Sequence, residues 1–135
     1  MRGQSERQKP GDTGCGMGRM KILILEDEPL LAMLLEESLI ELGYNVVASA
    51  ATVGQAMAAI DTTELDFALL DFTLGDDSTS IPVARRLRVQ GTPFVYLTGH
   101  LTLPADEDAP PAAMLSKPFT LDQLDEVLRT ARLAA

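Results

Sequence analysis

The order of short apolar runs and helical patterns is the feature of this sequence that most restricts its fold. Strands that are buried on both faces of a sheet read as nearly continuous apolar runs, and alternation of such runs with helices produces a parallel sheet with helices on both sides. The pattern therefore predicts a doubly wound α/β domain. The strands are expected near residues 21–26, 45–49, 66–71, 93–98 and 113–116.

The first helix is predicted between Pro29 and Gly43. Proline suits the first turn of a helix because its missing N–H would have no intrahelical partner, and glycine is favoured just past the end. Leucines recur between them at helical spacing, which predicts one face turned toward the core. This stripe comprises Leu31, Leu34, Leu35, Leu39 and Leu42.

Three further helices are indicated by similar signals. The second is expected over about residues 52–61, and the third over about 80–90, where Gly91 ends it. The last begins at Thr120, whose spacing from Gln123 fits a capping box. Its predicted buried face comprises Leu121, Leu124, Val127, Leu128 and Ala131.

The connection between the fourth and fifth strands, Gly99 to Ala112, departs from this pattern. Its prolines and acidic residues disfavour a regular helix of several turns. We predict a loop or an irregular, shortened fourth helix there. Two interpretations stay open: a simple surface connection, and a binding segment, because long connections at strand ends often carry function.

The overall composition excludes several classes of protein. A length of 135 residues and 46% hydrophobic content suit one domain with its own core. No apolar run approaches the roughly 20 residues that span a bilayer, so no membrane association is expected. A formal net charge of -9 argues against direct DNA binding, which needs clustered basic residues. The cluster Arg85, Arg86 and Arg88 is interpreted as a solvated helix face rather than a docking patch.

Residues 1–19 differ in composition from the rest of the chain. They contain glycines and scattered charges without apolar periodicity, which predicts a disordered tail ahead of a domain over residues 20–135. The single cysteine, Cys15, cannot form an internal disulfide, and no signal-peptide pattern is present. A cytoplasmic location is therefore expected.

Polar residues follow or end four of the predicted strands. In an open parallel sheet, the residues just past the carboxyl ends of the strands meet in one crevice where ligands bind. Three acids, a hydroxyl and an amine are therefore expected to lie together. They are Glu26 and Asp27 after the first strand, Asp71 at the end of the third, Thr98 at the end of the fourth and Lys117 after the fifth.

Four motifs at these positions resemble the receiver domain of bacterial two-component response regulators. They read Ile-Leu-Ile-Leu-Glu-Asp-Glu, Leu-Leu-Asp-Phe-Thr-Leu-Gly, Val-Tyr-Leu-Thr-Gly and Leu-Ser-Lys-Pro-Phe. Each motif is weak alone, but together, in this order and on successive strands, they are specific. The resemblance covers residues 20–135 and implies a flavodoxin-like fold, with five parallel strands in the order 2-1-3-4-5.

The resemblance implies that Asp71 accepts a phosphoryl group from a phosphohistidine on a sensor histidine kinase or phosphotransfer protein. A carboxylate is a modest nucleophile toward an anionic group, so the transfer relies on positioning and on charge neutralisation by a metal. Asp27 and Asp71 would ligate Mg²⁺ directly. The main-chain carbonyl of Thr73 would add a third ligand, and Glu26 would act through metal-bound water. Such hard oxygen ligands suit Mg²⁺.

Two further residues have roles implied by the resemblance. Lys117 would place its ammonium against the phosphoryl oxygens and, without metal, against Asp71. Thr98 would donate its hydroxyl to the phosphoryl group and move toward it. The peptide bond between Lys117 and Pro118 is expected to be cis, a conformation essentially confined to bonds before proline.

Two positions depart from the commonest receiver pattern. Met114 stands three residues before the lysine, where many receivers have a Tyr or Phe that rotates as a signal reporter. We therefore do not expect aromatic switching and interpret Met114 as a core-filling residue. His100 follows Thr98 and Gly99, where a subgroup of stand-alone alphaproteobacterial receivers has an aromatic residue. We interpret His100 as a polar loop residue, with stacking or pairing near the site as the alternative.

Signal output is expected through contact with another protein, because no DNA-binding or catalytic domain follows Ala135. A downstream protein partner would contact the fifth strand, the last helix and the fourth connection, which is the segment from Gly99 to Ala112. The first helix would present Leu30, Met33 and Ile40 to the kinase or phosphotransfer protein.

Other classes of function fit the sequence less well. A phosphatase of the haloacid dehalogenase type needs a second aspartate two residues after the first, where this chain has Thr73. Neither glycine-rich nucleotide motif follows any strand. The protein is therefore expected to catalyse only its own aspartyl phosphorylation and dephosphorylation. A phosphate-independent pseudo-receiver that binds proteins, and a phosphate sink that drains a kinase, stay as alternatives.

Overall fold

The computed structural model describes residues 20–75, 78–99 and 109–134. The predicted tail, residues 1–19, lies outside the described residues, as do His100 and the rest of residues 100–108. The strands are β1 (Lys21–Leu25), β2 (Asn45–Ala50), β3 (Phe67–Asp71), β4 (Phe94–Thr98) and β5 (Ala113–Ser116). The helices are α1 (Pro29–Glu41), α2 (Val53–Thr62), α3 (Ile81–Gln90) and α4 (Leu121–Ala134).

The five strands form one parallel sheet in the order β2-β1-β3-β4-β5, which confirms the predicted fold. The order reverses between β1 and β3, and this switch point is where ligands bind in open α/β sheets. The register pairs Leu25 with Leu70, and Asp71 with Leu97. The carboxyl ends of the central strands therefore lie level with one another.

Two apolar layers bury the sheet from opposite sides. Leu70 of β3 packs in the layer that contains α2 and α3, whereas its neighbour Leu69 packs in the layer that contains α1 and α4. Successive side chains of a strand point to opposite faces, so a strand covered on both sides needs apolar residues throughout. This is the reason that the strands read as continuous apolar runs in the sequence.

The helix boundaries follow the signals in the sequence. Pro29 opens α1, and Thr52 caps α2 by accepting a hydrogen bond from the Gln55 amide at 3.1 Å. The predicted capping box before α4 is confirmed. The Gln123 amide donates to Thr120 Oγ1 at 3.1 Å, and the Thr120 amide donates to Gln123 Oε1 at 2.8 Å. Such reciprocal bonds satisfy N–H groups that the helix leaves unpaired.

The predicted buried stripe of α1 is wrong at Leu34. Leu35 and Leu39 are buried, but Leu34 is 51% exposed. The helix carries large apolar residues on nearly every side, so their spacing alone does not identify the face that meets the sheet. No helix among the described residues is long and apolar enough to cross a membrane.

The turn after β3 is held by backbone bonds between residues 72–74 and residues 78–80. The Leu74 amide donates to the Ser78 carbonyl at 2.9 Å, and the Ser80 amide donates to the Phe72 carbonyl at 3.0 Å. Thr73 and Thr79 form an antiparallel bridge within this turn. These bonds hold the backbone directly after Asp71.

The backbone of Ser80 takes part in this turn, but its side-chain hydroxyl is buried without a hydrogen bond in the described part of the chain. The hydroxyl is buried, makes no cap bond to α3, and has no hydrogen-bond partner among the described residues. Because an unpaired buried hydroxyl loses its hydration without compensation, Ser80→Ala is expected to raise the free energy of unfolding by about 1 kcal/mol. Urea unfolding measures this, with the exposed Ser116→Ala as the control. A loss of stability in Ser80→Ala would contradict the expectation.

The described ends of the fourth connection, Gly99 and residues 109–112, contain no helix. The irregular or shortened helix that was predicted between β4 and β5 falls on residues outside the described part. The buried Tyr96 hydroxyl donates to the Pro110 carbonyl at 2.7 Å, and its ring contacts Phe72 edge to face. This bond ties the end of the connection to the middle of β4.

Candidate functional site

Three carboxylates converge where β1 and β3 end. Glu26 and Asp27 follow β1 directly, and Asp71 is the last residue of β3. One oxygen from each lies within 4.8 Å of the others. Glu26 is 2% exposed and Asp71 is 6% exposed, whereas Asp27 is half-buried. The sequence-based expectation that these acids meet is therefore confirmed.

Lys117 joins the acids from the end of β5. Its Nζ lies 3.0 Å from Glu26 Oε1 and 3.2 Å from Asp71 Oδ1. The peptide bond between Lys117 and Pro118 is cis, as predicted. The Lys117 amide also donates to the Thr98 carbonyl at 2.8 Å, so the ends of β4 and β5 are joined at the site.

Burial and like charge perturb the titration of the central acid. The pKa of Asp71 is raised from an ordinary 3.8 to about 7. Burial away from water is the largest cause and repulsion from Glu26 is the second, whereas the attraction of Lys117 acts in the opposite direction. Burial alone would lower the pKa of Lys117, but its bonds to Glu26 and Asp71 outweigh burial and raise that pKa. The ammonium is therefore held charged between two buried carboxyl groups.

Backbone N–H groups orient the other two acids. The Glu28 amide donates to Glu26 Oε2 at 3.0 Å, which leaves the other oxygen of Glu26 for Lys117. The Gly75 amide donates to Asp27 Oδ2 at 2.8 Å from the turn after β3. Gly75 had no role in our sequence-based prediction. The sequence feature that could have indicated a role for Gly75 is its position at the end of the motif that contains Asp71.

The two threonines occupy different positions around the acids. Thr98 is buried at the end of β4, one residue beyond the partner of Asp71 in the register. Thr73 is exposed and lies two residues after Asp71 in the turn. Their roles as hydroxyl donor and carbonyl ligand remain predictions, and His100 lies outside the described residues.

The interpretation of Met114 as a core-filling residue is wrong. Met114 is 42% exposed, although Leu115 beside it is buried. The reason is that β5 is the edge strand of the sheet, and its alternate side chains point away from the layer formed by α1 and α4. On α1, the expected exposure of Leu30, Met33 and Ile40 is confirmed.

The donor set of the site fits Mg²⁺. Three carboxylates supply hard oxygen ligands of the kind that this ion prefers, and it usually retains several waters. A cavity of about 340 Å³ lies beside them, lined by Asp27, Ala51, Thr52, Leu74 and Gly75. Among the described residues, this is the group of acids close enough together to hold a metal ion.

Comparison with known proteins agrees with this fold. The family model described as the response regulator receiver domain matches residues 22–129. The chain is 32% identical over 114 residues to the phyllosphere-induced regulator PhyR of Methylorubrum extorquens, covering 82% of this chain and 43% of the relative. It is 34% identical over 120 residues to the transcriptional regulatory protein TcrA of Mycobacterium tuberculosis, covering 85% and 47%. The chain thus spans less than half the length of these curated relatives.

Solved structures of similar length share the fold. The receiver domain of Erythrobacter litoralis PhyR superposes with a TM-score of 0.77 at 30% identity, covering 86% of this chain and 92% of that chain. SdrG from Sphingomonas melonis superposes with a TM-score of 0.75 at 38% identity, covering 87% and 98%. With its strand order, its acidic cluster and the family match over most of its length, the chain belongs to the response regulator receiver domain family.

Proposed function

We propose that the protein is a phosphoacceptor. It takes a phosphoryl group from a phosphohistidine of a sensor histidine kinase or phosphotransfer protein onto Asp71 with the help of Mg²⁺, and it signals by phosphorylation-dependent binding to another protein. One observation supports this most: the Lys117 ammonium lies within 3.2 Å of Asp71, beside two further acids. A buried acid with an adjacent cation and metal ligands is the combination that aspartyl phosphorylation requires.

In the proposed transfer, one carboxylate oxygen of Asp71 attacks phosphorus. A new O–P bond forms, the P–N bond to the donor imidazole breaks, and its electron pair stays on the imidazole nitrogen. Asp71 must be ionised to attack, and the Lys117 ammonium stabilises that form against burial and the charge of Glu26. The same ammonium then neutralises the phosphoryl oxygens, and Thr98 supplies a hydroxyl hydrogen bond to them.

The metal ligands follow from the same proposal. Asp27 and Asp71 would hold Mg²⁺ directly, with the Thr73 carbonyl as a further ligand and Glu26 acting through water. The ion, when bound, would supply positive charge that offsets the repulsion between an anionic phosphoryl group and three carboxylates. The chain's own contribution is to hold these oxygens in place before the donor arrives.

Two surfaces are proposed for protein partners. A groove of about 550 Å³ runs beside the site, lined by α1 and by residues 117–119. Leu30, Met33 and Ile40 are exposed on α1, as is Leu34 beside the groove, and we assign this helix to the phosphodonor protein. The downstream partner is assigned to β5, α4 and the fourth connection, where Met114 is exposed.

The nature of the downstream partner draws on the relatives. One solved relative, PhyR of Bartonella quintana, is described as an anti-anti-sigma factor; it is 28% identical, with a TM-score of 0.73, covering 86% of this chain and 49% of that chain. We propose a protein partner for this chain and no direct DNA contact, given the net charge of -9. A cytoplasmic location is part of the same proposal.

Beryllofluoride, a stable mimic of an aspartyl phosphate, tests the proposal in solution. Amide NMR of the wild type with beryllofluoride is expected to show shifts around residues 26–27, 71–75 and 98–117, and only when Mg²⁺ is present. The control is the same titration in EDTA. Absence of any Mg²⁺-dependent shift would favour the alternative of a phosphate-independent pseudo-receiver.

A further inference from the structure

Gly75 connects the turn after β3 to the acidic residues after β1. Its amide donates to Asp27 Oδ2 at 2.8 Å, a bond between residues 48 positions apart in the chain. The approach is so close that an added side chain would require the Asp27 carboxylate to move. A Cβ built on Gly75 would lie 2.3 Å from Asp27 Oδ2 and 3.5 Å from Asp27 Cγ.

Other described glycines have more room. A Cβ on Gly54 would meet its nearest neighbour, Thr52 Oγ1, at 3.9 Å, which is an ordinary contact. At Gly43, Gly91 and Gly99, nothing lies within 4 Å. Among these glycines, Gly75 is the one at which a carboxylate occupies the space that a side chain would need.

The backbone itself does not require glycine at this position. Gly43 and Gly91 adopt the left-handed conformation that favours glycine, but Gly75 is not among the positive-φ glycines. Gly75 is also exposed, so no packed core demands a small residue. The close contact with Asp27 therefore distinguishes Gly75 from the other described glycines.

We propose that Gly75 is a positioning residue for the metal site. Its N–H and its lack of a side chain hold the Asp27 carboxylate toward Glu26 and Asp71. The inference rests on the proposed function, in which Asp27 ligates Mg²⁺. The three carboxylates repel one another. The Lys117 ammonium forms its ion pairs with the other two acids, Glu26 and Asp71, so the amide of Gly75 supplies the positive end of a dipole for Asp27.

A methyl group at Gly75 would displace the Asp27 oxygen by about 1 Å if ordinary contact is to be restored. Mg²⁺ demands nearly ideal octahedral geometry with bonds of about 2.0–2.1 Å, so such a displacement is large for a ligand. Asp27 is only half-buried and can rotate away without disturbing the core. The substitution should therefore weaken metal binding while leaving the metal-free fold intact.

Calorimetric titration of the full chain with Mg²⁺ tests the inference. Gly75→Ala is expected to bind Mg²⁺ about 10-fold more weakly than the wild type, the loss typical of disturbing a group that orients a metal ligand. Its thermal midpoint in EDTA is expected to match that of the wild type. The matched control is Gly54→Ala, which adds the same methyl group where there is room and should leave Mg²⁺ affinity unchanged.

A second comparison separates the contact with Asp27 from a general effect on the turn. In an Asp27→Ala background, adding Gly75→Ala is expected to cause no further loss of Mg²⁺ affinity, because the displaced oxygen is already absent. Equal or tighter Mg²⁺ binding by Gly75→Ala in the otherwise wild-type chain would overturn the inference. Failure of the wild type to bind Mg²⁺ would reject the proposed function, and the positioning role with it.

Discussion

Asp71→Asn is expected to raise the free energy of unfolding by about 2 kcal/mol at pH 8 in buffer without metal. Asp71 is buried, and its pKa is raised to about 7 by desolvation and by repulsion from Glu26. Each pKa unit corresponds to about 1.4 kcal/mol between folded and unfolded states. We expect roughly half of the free energy that corresponds to the full pKa shift, because the substitution also removes a partner of Lys117. The neutral amide avoids the cost of a buried charge.

The sign of this effect gives it a characteristic pH dependence. An acid with a raised pKa in the folded state favours folding while it is protonated, and this contribution is lost as the pH rises from 3.8 to about 7. The two proteins should therefore be similar in stability near pH 4 and should differ fully above pH 7. Urea unfolding at several pH values in EDTA measures this.

The exposed Asp122→Asn provides the control for Asp71→Asn, because it removes the same charge without relieving burial. It should not stabilise the protein at pH 8. An Asp71→Asn protein that is no more stable than the wild type at pH 8 would show that Lys117 already compensates the charge. Such a result would contradict the electrostatic account of the site.

Lys117→Met is expected to lower the free energy of unfolding by about 3 kcal/mol at pH 8 without metal. The ammonium lies 3.0 Å from Glu26 and 3.2 Å from Asp71, both of which are nearly inaccessible to water. Removing one partner of a buried ion pair leaves charge without compensation, which is far more costly than the loss of a surface pair. Methionine keeps an apolar stem of similar length, so the comparison isolates the charge.

Lys21→Met is the matched control for Lys117. Lys21 forms a comparable bond to Glu64, at 2.8 Å, but both partners are exposed, so solvent screens the pair and little change is expected. The loss at Lys117 should shrink when Asp71→Asn is added, because one of the two carboxylates is then neutral. Equal stabilities of the two lysine variants would argue against a buried ionic site.

The strand order and the meeting of the acids could be predicted because they depend on topology. Continuous apolar runs such as Phe67 to Leu70 indicate strands covered on both faces, and parallel strands bring their carboxyl ends to one edge. Glu26, Asp71 and Lys117 each stand directly at such an end. Their convergence therefore follows from the alternation of strands and helices.

Features that depend on tertiary context could not be read in the same way. Leu34 lies on a helix that is apolar on nearly every side, so periodicity could not identify the face that meets the sheet. Met114 is exposed because β5 is an edge strand, and the sequence pattern does not say what covers such a strand. The bond from Gly75 to Asp27 depends on how a turn folds over a site 48 residues away.

The most direct test of the central claim is intact-mass spectrometry after incubation with acetyl phosphate and Mg²⁺. The wild type is expected to gain one phosphoryl group, with the adduct mapped to Asp71 after borohydride reduction and proteolysis. Asp71→Asn should gain none, and EDTA should suppress the adduct in the wild type. An adduct of equal yield in Asp71→Asn, or no adduct in a wild type shown to bind Mg²⁺, would contradict the assignment of Asp71 as the phosphoacceptor.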